Sequence, residues 1–230
     1  MWYPFSLFLD IVFPRRCLSC HKAGEYWCRL CQGLVVAAPR QCALCHVFTA
    51  IGQLCERCCR RHGFDTLWVT TEYHHGAIQQ IIHALKFNFV SELAMPLGEL
   101  LERSLPPLVG EWHIVPIPLA KKRQRWRGFN QAELIARVVA DRRGWPLSTH
   151  FLIKPRQKKR QVGLTRAERL KNSQGLFVAS LAAANRQIII VDDVVTTGAT
   201  LTAAVSALRA AGATRVVGLV VAHHFQKHSA

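Results

Sequence analysis

The rhythm of hydrophobic and polar positions changes near residue 62. Before that point apolar residues are scattered between paired cysteines. After it, apolar runs of two kinds alternate. Thr66–Tyr73 predicts a strand, and Ala77–Phe87 an amphipathic helix with Ile78, Ile81, Ile82 and Leu85 on one face. Lys86 lies off that face; it could reach the ligand-binding edge of the sheet, but reads first as a surface lysine. Glu92–Leu105 predicts a second helix, which Pro106-Pro107 stops. Trp112–Ile117 reads as a strand, Gln131–Arg142 as a helix and Leu147–Ile153 as a short strand. The polar stretch Lys154–Ser173 has no period and predicts a mobile loop, with a strand stub over Leu176–Val178 beyond it. Gln187–Val191 and Arg215–Val221 are continuous apolar runs, as in strands buried on both faces, and they flank a helix over Leu201–Ala211. The alternation predicts an α/β fold, a parallel sheet with helices on both faces. A small cysteine-rich unit over 1–62 would precede this unit over 63–230, with the boundary at Arg60-Arg61-His62-Gly63.

Ligands of such sheets bind beyond the carboxyl ends of the strands. Here the run Ile188–Val191 leads into Asp192-Asp193 and then Val194-Val195-Thr196-Thr197-Gly198-Ala199-Thr200. That order suits a sugar phosphate. Backbone N–H groups of the loop, aided by the positive end of the following helix, can converge on a phosphate. The two carboxylates can accept hydrogen bonds from neighbouring ribose hydroxyls, and Gly198 lets the backbone come close. Pro118–Gly128 and Lys154–Lys171 also follow strands, so all three segments can meet at one edge.

The formal net charge of +16 is uneven. Lys121–Arg127 and Lys154–Lys171 together supply +12 of it. Two local basic patches imply a polyanionic ligand. They can handle pyrophosphate or track a nucleic-acid backbone. Trp126, set among the first group of cations, suits single-stranded DNA, where stacking adds to phosphate contacts. The apolar segment Trp2–Phe13 is interrupted by Asp10, is too short to span a bilayer, and follows no basic leader. No membrane insertion and no export are expected, which places the chain in the cytoplasm.

Eight of the nine cysteines form four C-x-x-C pairs: Cys17/Cys20, Cys28/Cys31, Cys42/Cys45 and Cys55/Cys58. Each pair points two thiolates at one tetrahedral ion, and a second pair closes the site. Two structural zinc ribbons follow, Cys17–Cys31 and Cys42–Cys58, each with a gap long enough for a hairpin. The spacing does not by itself exclude an interleaved pairing. Disulfides would need an oxidising compartment, and redox motifs come singly in a thioredoxin-like unit. Cys59 is left as a bystander, and His21, His46 and His62 are not needed as ligands.

Several separated segments now resemble one family. Val191-Asp192-Asp193-Val194-Val195-Thr196-Thr197-Gly198-Ala199-Thr200 is similar to the phosphoribosyl pyrophosphate (PRPP) loop of type I phosphoribosyltransferases. Val115-Pro116-Ile117-Pro118, then Arg127-Gly128-Phe129-Asn130-Gln131, resembles the ComF/GntX branch of that superfamily. So do Gln161–Arg169, Asn172, Phe177, Leu85-Lys86-Phe87 and the cysteine unit.

The resemblance implies a type I phosphoribosyltransferase-like sheet and a set of roles. Asp192 and Asp193 would hold the ribose hydroxyls. Thr196, Thr197, Gly198, Ala199 and Thr200 would wrap the 5′-phosphate. Leu119, Arg127 and Gly128 would approach the pyrophosphate, and Lys154–Lys171 would close over the site. Mg²⁺ would accompany PRPP. If transfer occurs, Arg127, Arg160 and Arg169 are the candidates for steadying the departing pyrophosphate. Thr196 and Ala199 stand where hypoxanthine–guanine members carry Asp and Lys, so the loop is closer to the orotate and adenine types. The resemblance also implies a place in DNA uptake or the use of DNA as a nutrient, with a possible protein partner on the zinc ribbons. The other reading is an inactive adaptor for single-stranded DNA or protein on the same fold.

Overall fold

The computed structural model describes residues 14–49, 53–74, 76–155 and 175–224. The expected segment Trp2–Phe13 and nearly all of the expected loop Lys154–Ser173 lie outside the described residues, as do Arg160 and Arg169.

Four parallel strands form the central sheet: β1 (Thr66–Glu72), β2 (His113–Pro116), β5 (Gln187–Val195) and β6 (Arg215–His223), in the order β1-β6-β5-β2. The apolar runs of the two central strands are buried on both sides. Ile189, Val191, Val217, Leu219 and Val221 face one core. Ile188, Ile190, Val216 and Val220 face the other. The first core is closed by α3 (Ile78–Phe87), α4 (Ala94–Ser104) and α6 (Gln131–Arg143). The second is closed by α7 (Ala199–Ala210), whose Leu201, Ala204, Val205 and Leu208 are buried. Among the described residues, no helix is long and apolar enough to cross a membrane.

Three expected elements differ in detail. Leu147–Ile153 is not one strand. Leu147 forms only a parallel bridge to Ile114, a turn follows in which Phe151 N–H donates to Ser148 C=O, and β3 is confined to Leu152–Ile153. β3 then pairs antiparallel with β4 (Val178–Ala179), apart from the main sheet. The second expected helix opens as a 3₁₀ turn over Ser91–Leu93 before α4, and Pro96 is tolerated because it falls in the first turn. The basic run after β2 is itself a helix, α5 (Lys121–Arg127), which Gly128 ends in the left-handed conformation at φ +82°.

Helices α4 and α6 cross at Gly98. A Cβ there would stand 2.5 Å from Val138 Cβ and 3.0 Å from the Ile135 carbonyl oxygen. The absence of a side chain is therefore what sets their spacing. Gly98→Val is expected to destabilise the fold by about 1–3 kcal/mol through overpacking, read as a lower midpoint in urea unfolding.

The cysteine-rich segment does not sit on one side of the sheet. Cys17, Trp27 and Cys31 belong to the first core, whereas Cys42, Ala43, Leu54 and Cys58 belong to the second. The chain between them passes along the edge strand β1. Ala38 N–H donates to the Thr70 carbonyl at 2.9 Å, and the Thr71 hydroxyl donates to the Val36 carbonyl at 2.8 Å.

Candidate functional site

The four sulfurs of Cys17, Cys20, Cys28 and Cys31 lie within 4.8 Å of one another, and so do those of Cys42, Cys45, Cys55 and Cys58. The pairing is therefore sequential, not interleaved. In each set the first C-x-x-C forms a turn. The second leads into a short helix, α1 (Arg29–Gly33) after Cys28 and α2 (Glu56–His62) after Cys55, in place of the expected plain hairpin. Around a zinc ion with Zn–S bonds of about 2.3 Å, tetrahedral sulfurs stand about 3.8 Å apart. The observed Cys20–Cys28 and Cys45–Cys55 separations are 3.7 and 3.5 Å, so both donor sets fit the ion. Burial opposes ionisation of Cys17, but the backbone N–H groups of Cys28, Cys20 and Ser19 outweigh it and bring the thiol down to about 6. In the second set Cys45 reaches about 6 in the same way: burial opposes, while backbone hydrogen bonding at Val47 and the sulfurs of Cys55, Cys58 and Cys42 prevail. In the same sets Cys31 is pushed up to about 12, the Ser19 hydrogen bond opposing burial and the neighbouring sulfurs, and Cys58 is raised by burial and its neighbouring sulfurs, so one thiol of each set ionises far more readily than another.

At the carboxyl end of the sheet, β5 continues past the apolar run as far as Val195, because β6 pairs with it up to Val195–His223. Asp192 and Asp193 are consequently held on a strand. Their side chains point to opposite faces, as period two demands. Asp193 is buried, 2% exposed, and Asp192 is partly open to the cleft. Asp193 N–H donates to Asp192 Oδ1 at 2.9 Å. Burial, reinforced by the neighbouring Asp193 carboxylate, raises the Asp192 carboxyl well above the ordinary carboxylate value.

Asp193 anchors a chain of polar side chains. Its Oδ2 pairs with Lys86 Nζ, and its Oδ1 accepts from Gln131 Nε2 at 3.2 Å. Gln131 Oε1 in turn accepts from Arg127 Nη1. Lys86, expected on the surface, is therefore a site residue. Its place in the last turn of α3 carries it to the sheet edge, a position that helical periodicity alone does not disclose. Arg127 is buried, 7% exposed, and its Nε has no hydrogen-bond partner among the described residues. Burial disfavours its charge, and the Asp193 carboxylate offsets this. Asn130 explains the rest of the RGFNQ segment. Its Oδ1 caps α6 by accepting from Ala132 N–H at 3.2 Å, and its Nδ2 donates to the Ile117 carbonyl at 3.0 Å. One side chain thus ties the start of α6 to the turn after β2, where Leu119 lies.

The loop between β5 and α7 surrounds a small open cleft lined by Asp192 and by Val194 to Leu201. Thr196, Thr197, Ala199 and Thr200 are exposed to it. Gly198 adopts φ +74° as the residue before α7 and has no side chain with which to cap it, while the Thr197 hydroxyl accepts a long 3.5 Å bond from Ala199 N–H. The remaining N–H groups at the start of α7 are oriented to meet a ligand. Lys154 reaches the same edge: burial lowers its affinity for a proton, as does Arg123, while Asp192 opposes them. Of the third segment that follows a strand, its first residue, Lys154, therefore lies near the other two.

A family model described as phosphoribosyl transferase domain matches residues 127–229. The chain is 29% identical over 202 residues to the DNA utilization protein YhgH of Salmonella typhimurium, covering 83% of this chain and 89% of that one. It is 27% identical over 219 residues to competence protein F of Haemophilus influenzae, covering 87% and 93%. It is 29% identical over 195 residues to competence protein ComFC of Bacillus subtilis, covering 81% and 79%. These matches agree with the resemblance to the ComF/GntX branch drawn from the sequence motifs. The fold is a phosphoribosyltransferase-type parallel sheet, and the cysteine segment supplies two Cys₄ sites suited to structural zinc.

Proposed function

We propose that this protein binds PRPP at the end of β5 and acts in DNA uptake or in the use of DNA as a nutrient. The carrying observation is the cleft itself, where an open helix start and three exposed threonines lie next to a carboxylate pair on one strand. Asp192 lines the cleft towards the ribose hydroxyls, the buried Asp193 would join it there by exchanging Lys86 and Gln131 for them, and Thr196 to Thr200 enclose the 5′-phosphate. Leu119, Arg127 and Gly128 flank the pyrophosphate, for which the unmatched Nε of Arg127 offers a buried donor. Mg²⁺ enters with PRPP on substrate oxygens and water, where it neutralises phosphate charge. The role in DNA handling rests on relatives named for DNA utilization and competence.

Transfer, if the protein performs it, breaks the bond from the anomeric carbon to pyrophosphate and joins that carbon to an acceptor. Arg127, with Arg160 and Arg169, would steady the leaving group. The decisive experiment measures pyrophosphate release from PRPP across a panel of bases, nucleosides and single-stranded DNA. Release with any acceptor is the expected result. DNA binding without turnover would instead support the inactive adaptor.

Single-stranded DNA is the macromolecular partner we assign. Phe87, Phe89 and Trp126 are all exposed, and the Trp126 ring lies 6.3 Å from Phe87 and 5.1 Å from Phe89. They adjoin the cations of α5, which suits stacked bases on a charged backbone. Trp126→Ala is expected to weaken binding of an oligothymidylate about tenfold by fluorescence anisotropy. Added salt is expected to weaken it steeply. A protein partner fits the Cys₄ units, which expose Leu30 and Leu34 on the first and Phe48 on the second. The reducing cytoplasm is the compartment we propose, because it would keep these cysteines available as metal-binding thiolates.

A further inference from the structure

We infer that the turn of the second Cys₄ site, Cys42-Ala43-Leu44-Cys45, is a working part of the phosphate loop, so that metal on those cysteines and sugar phosphate in the cleft strengthen one another. The inference rests on the ribose-phosphate reading above and adds a regulator to it.

Three contacts join the two. Leu44 lies over Gly198, where a Cβ would stand 2.4 Å from Leu44 Cδ2. Gly198 is thus required twice, by its φ of +74° and by the leucine against it. The buried ring of His223 lies between the backbone of Ala43 and that of Thr196. Burial holds it neutral, lowering its pKa to about 4 although both backbone contacts favour the proton. The ring of His46, one residue past the turn, meets His223 edge-on at 5.8 Å. A fourth contact comes from α2, where His62 Nδ1 lies 3.1 Å from the hydroxyl of Thr202 in the first turn of α7.

Leu44 and Ala43 are held from both ends by sulfurs that share one ion. With the ion bound, the turn is rigid and fixes the backbone at Thr196 and Gly198, the positions that present N–H groups to the phosphate. With it removed, the four thiols have no common centre and the turn loses its only covalent-strength restraint. Phosphate must then order the loop at its own expense, and its affinity falls. Linkage makes the effect reciprocal, so phosphate must also retain the metal. The first Cys₄ site belongs to the opposite core and serves as an internal control.

The test uses the full chain loaded with zinc. PRPP binding is first measured by calorimetry with Mg²⁺ present. The rates of cysteine alkylation by N-ethylmaleimide in the presence of a chelator are then followed by peptide mass spectrometry. Saturating PRPP is expected to slow labelling of Cys45 and Cys55 about fivefold or more, and to leave Cys20 and Cys28 unchanged. Leu44→Ala is expected to abolish this selective protection and weaken PRPP about tenfold, and Leu44→Met to restore both. Equal rates at all four cysteines, or equal protection of both sets, while PRPP still binds, would overturn the coupling alone. No heat of binding with the parent protein would overturn the ribose-phosphate reading and the coupling with it.

Discussion

Asp192→Asn and Asp193→Asn are expected to abolish measurable PRPP binding alike, yet to move the melting temperature of the ligand-free protein in opposite directions. Asp192 carries a raised pKa because burial and the adjacent Asp193 disfavour its charge. A carboxyl whose folded pKa lies above its unfolded value binds more protons when folded. This contribution is therefore fully present below the unfolded value and is lost as pH rises towards and through the folded value, so a penalty is already felt at pH 7. Asn removes that charge and keeps the Oδ1 that accepts from Asp193 N–H, so Asp192→Asn should melt higher at pH 7. Asp193 differs, since it is paired with Lys86 and bonded by Gln131. Its removal strands a partly buried ammonium, which costs about 3 kcal/mol when the pair is desolvated. Asp193→Asn should therefore melt lower. Scanning calorimetry of both variants, with and without PRPP, checks all four outcomes. An unchanged affinity in either variant would remove that carboxylate from the ribose.

Stripping zinc with a strong chelator is expected to lower the melting temperature by on the order of 10 °C or more, and to affect both faces of the sheet. Cys17 and Cys31 are part of one core, and Cys42 and Cys58 part of the other. Losing the ions therefore loosens packing around Trp27 on one side and around Leu54 and Phe64 on the other. Calorimetry on the chelated and the zinc-restored protein measures the effect, and near-ultraviolet circular dichroism follows the Trp27 environment. A melting temperature insensitive to chelation would exclude a structural role for metal.

How far the sequence discloses this arrangement depends on the range of the interaction. The β5 run, the acidic pair and the threonine loop are contiguous, so their chemistry could be read directly. The four C-x-x-C pairs disclosed the donors but not their grouping, because loops of seven or nine residues permit either. Lys86 and Asp193 are far apart in the chain and meet only through the docking of α3 on the sheet. Gln131 was visible within RGFNQ, but its part in linking Arg127 to Asp193 depends on how α6 starts. Leu44 reads as one apolar residue in a metal turn. Only the fold brings it against Gly198, more than 150 residues later.

The path of the chain along β1 carries one more consequence. β1 ends the sheet, and an outer strand with open N–H and C=O groups is a template for another molecule's strand. Val36 and Ala38 occupy part of that template, between the two Cys₄ turns. Metal on both sites would thereby guard solubility. Protein stripped of it would begin to aggregate along β1 well before its interior unfolds.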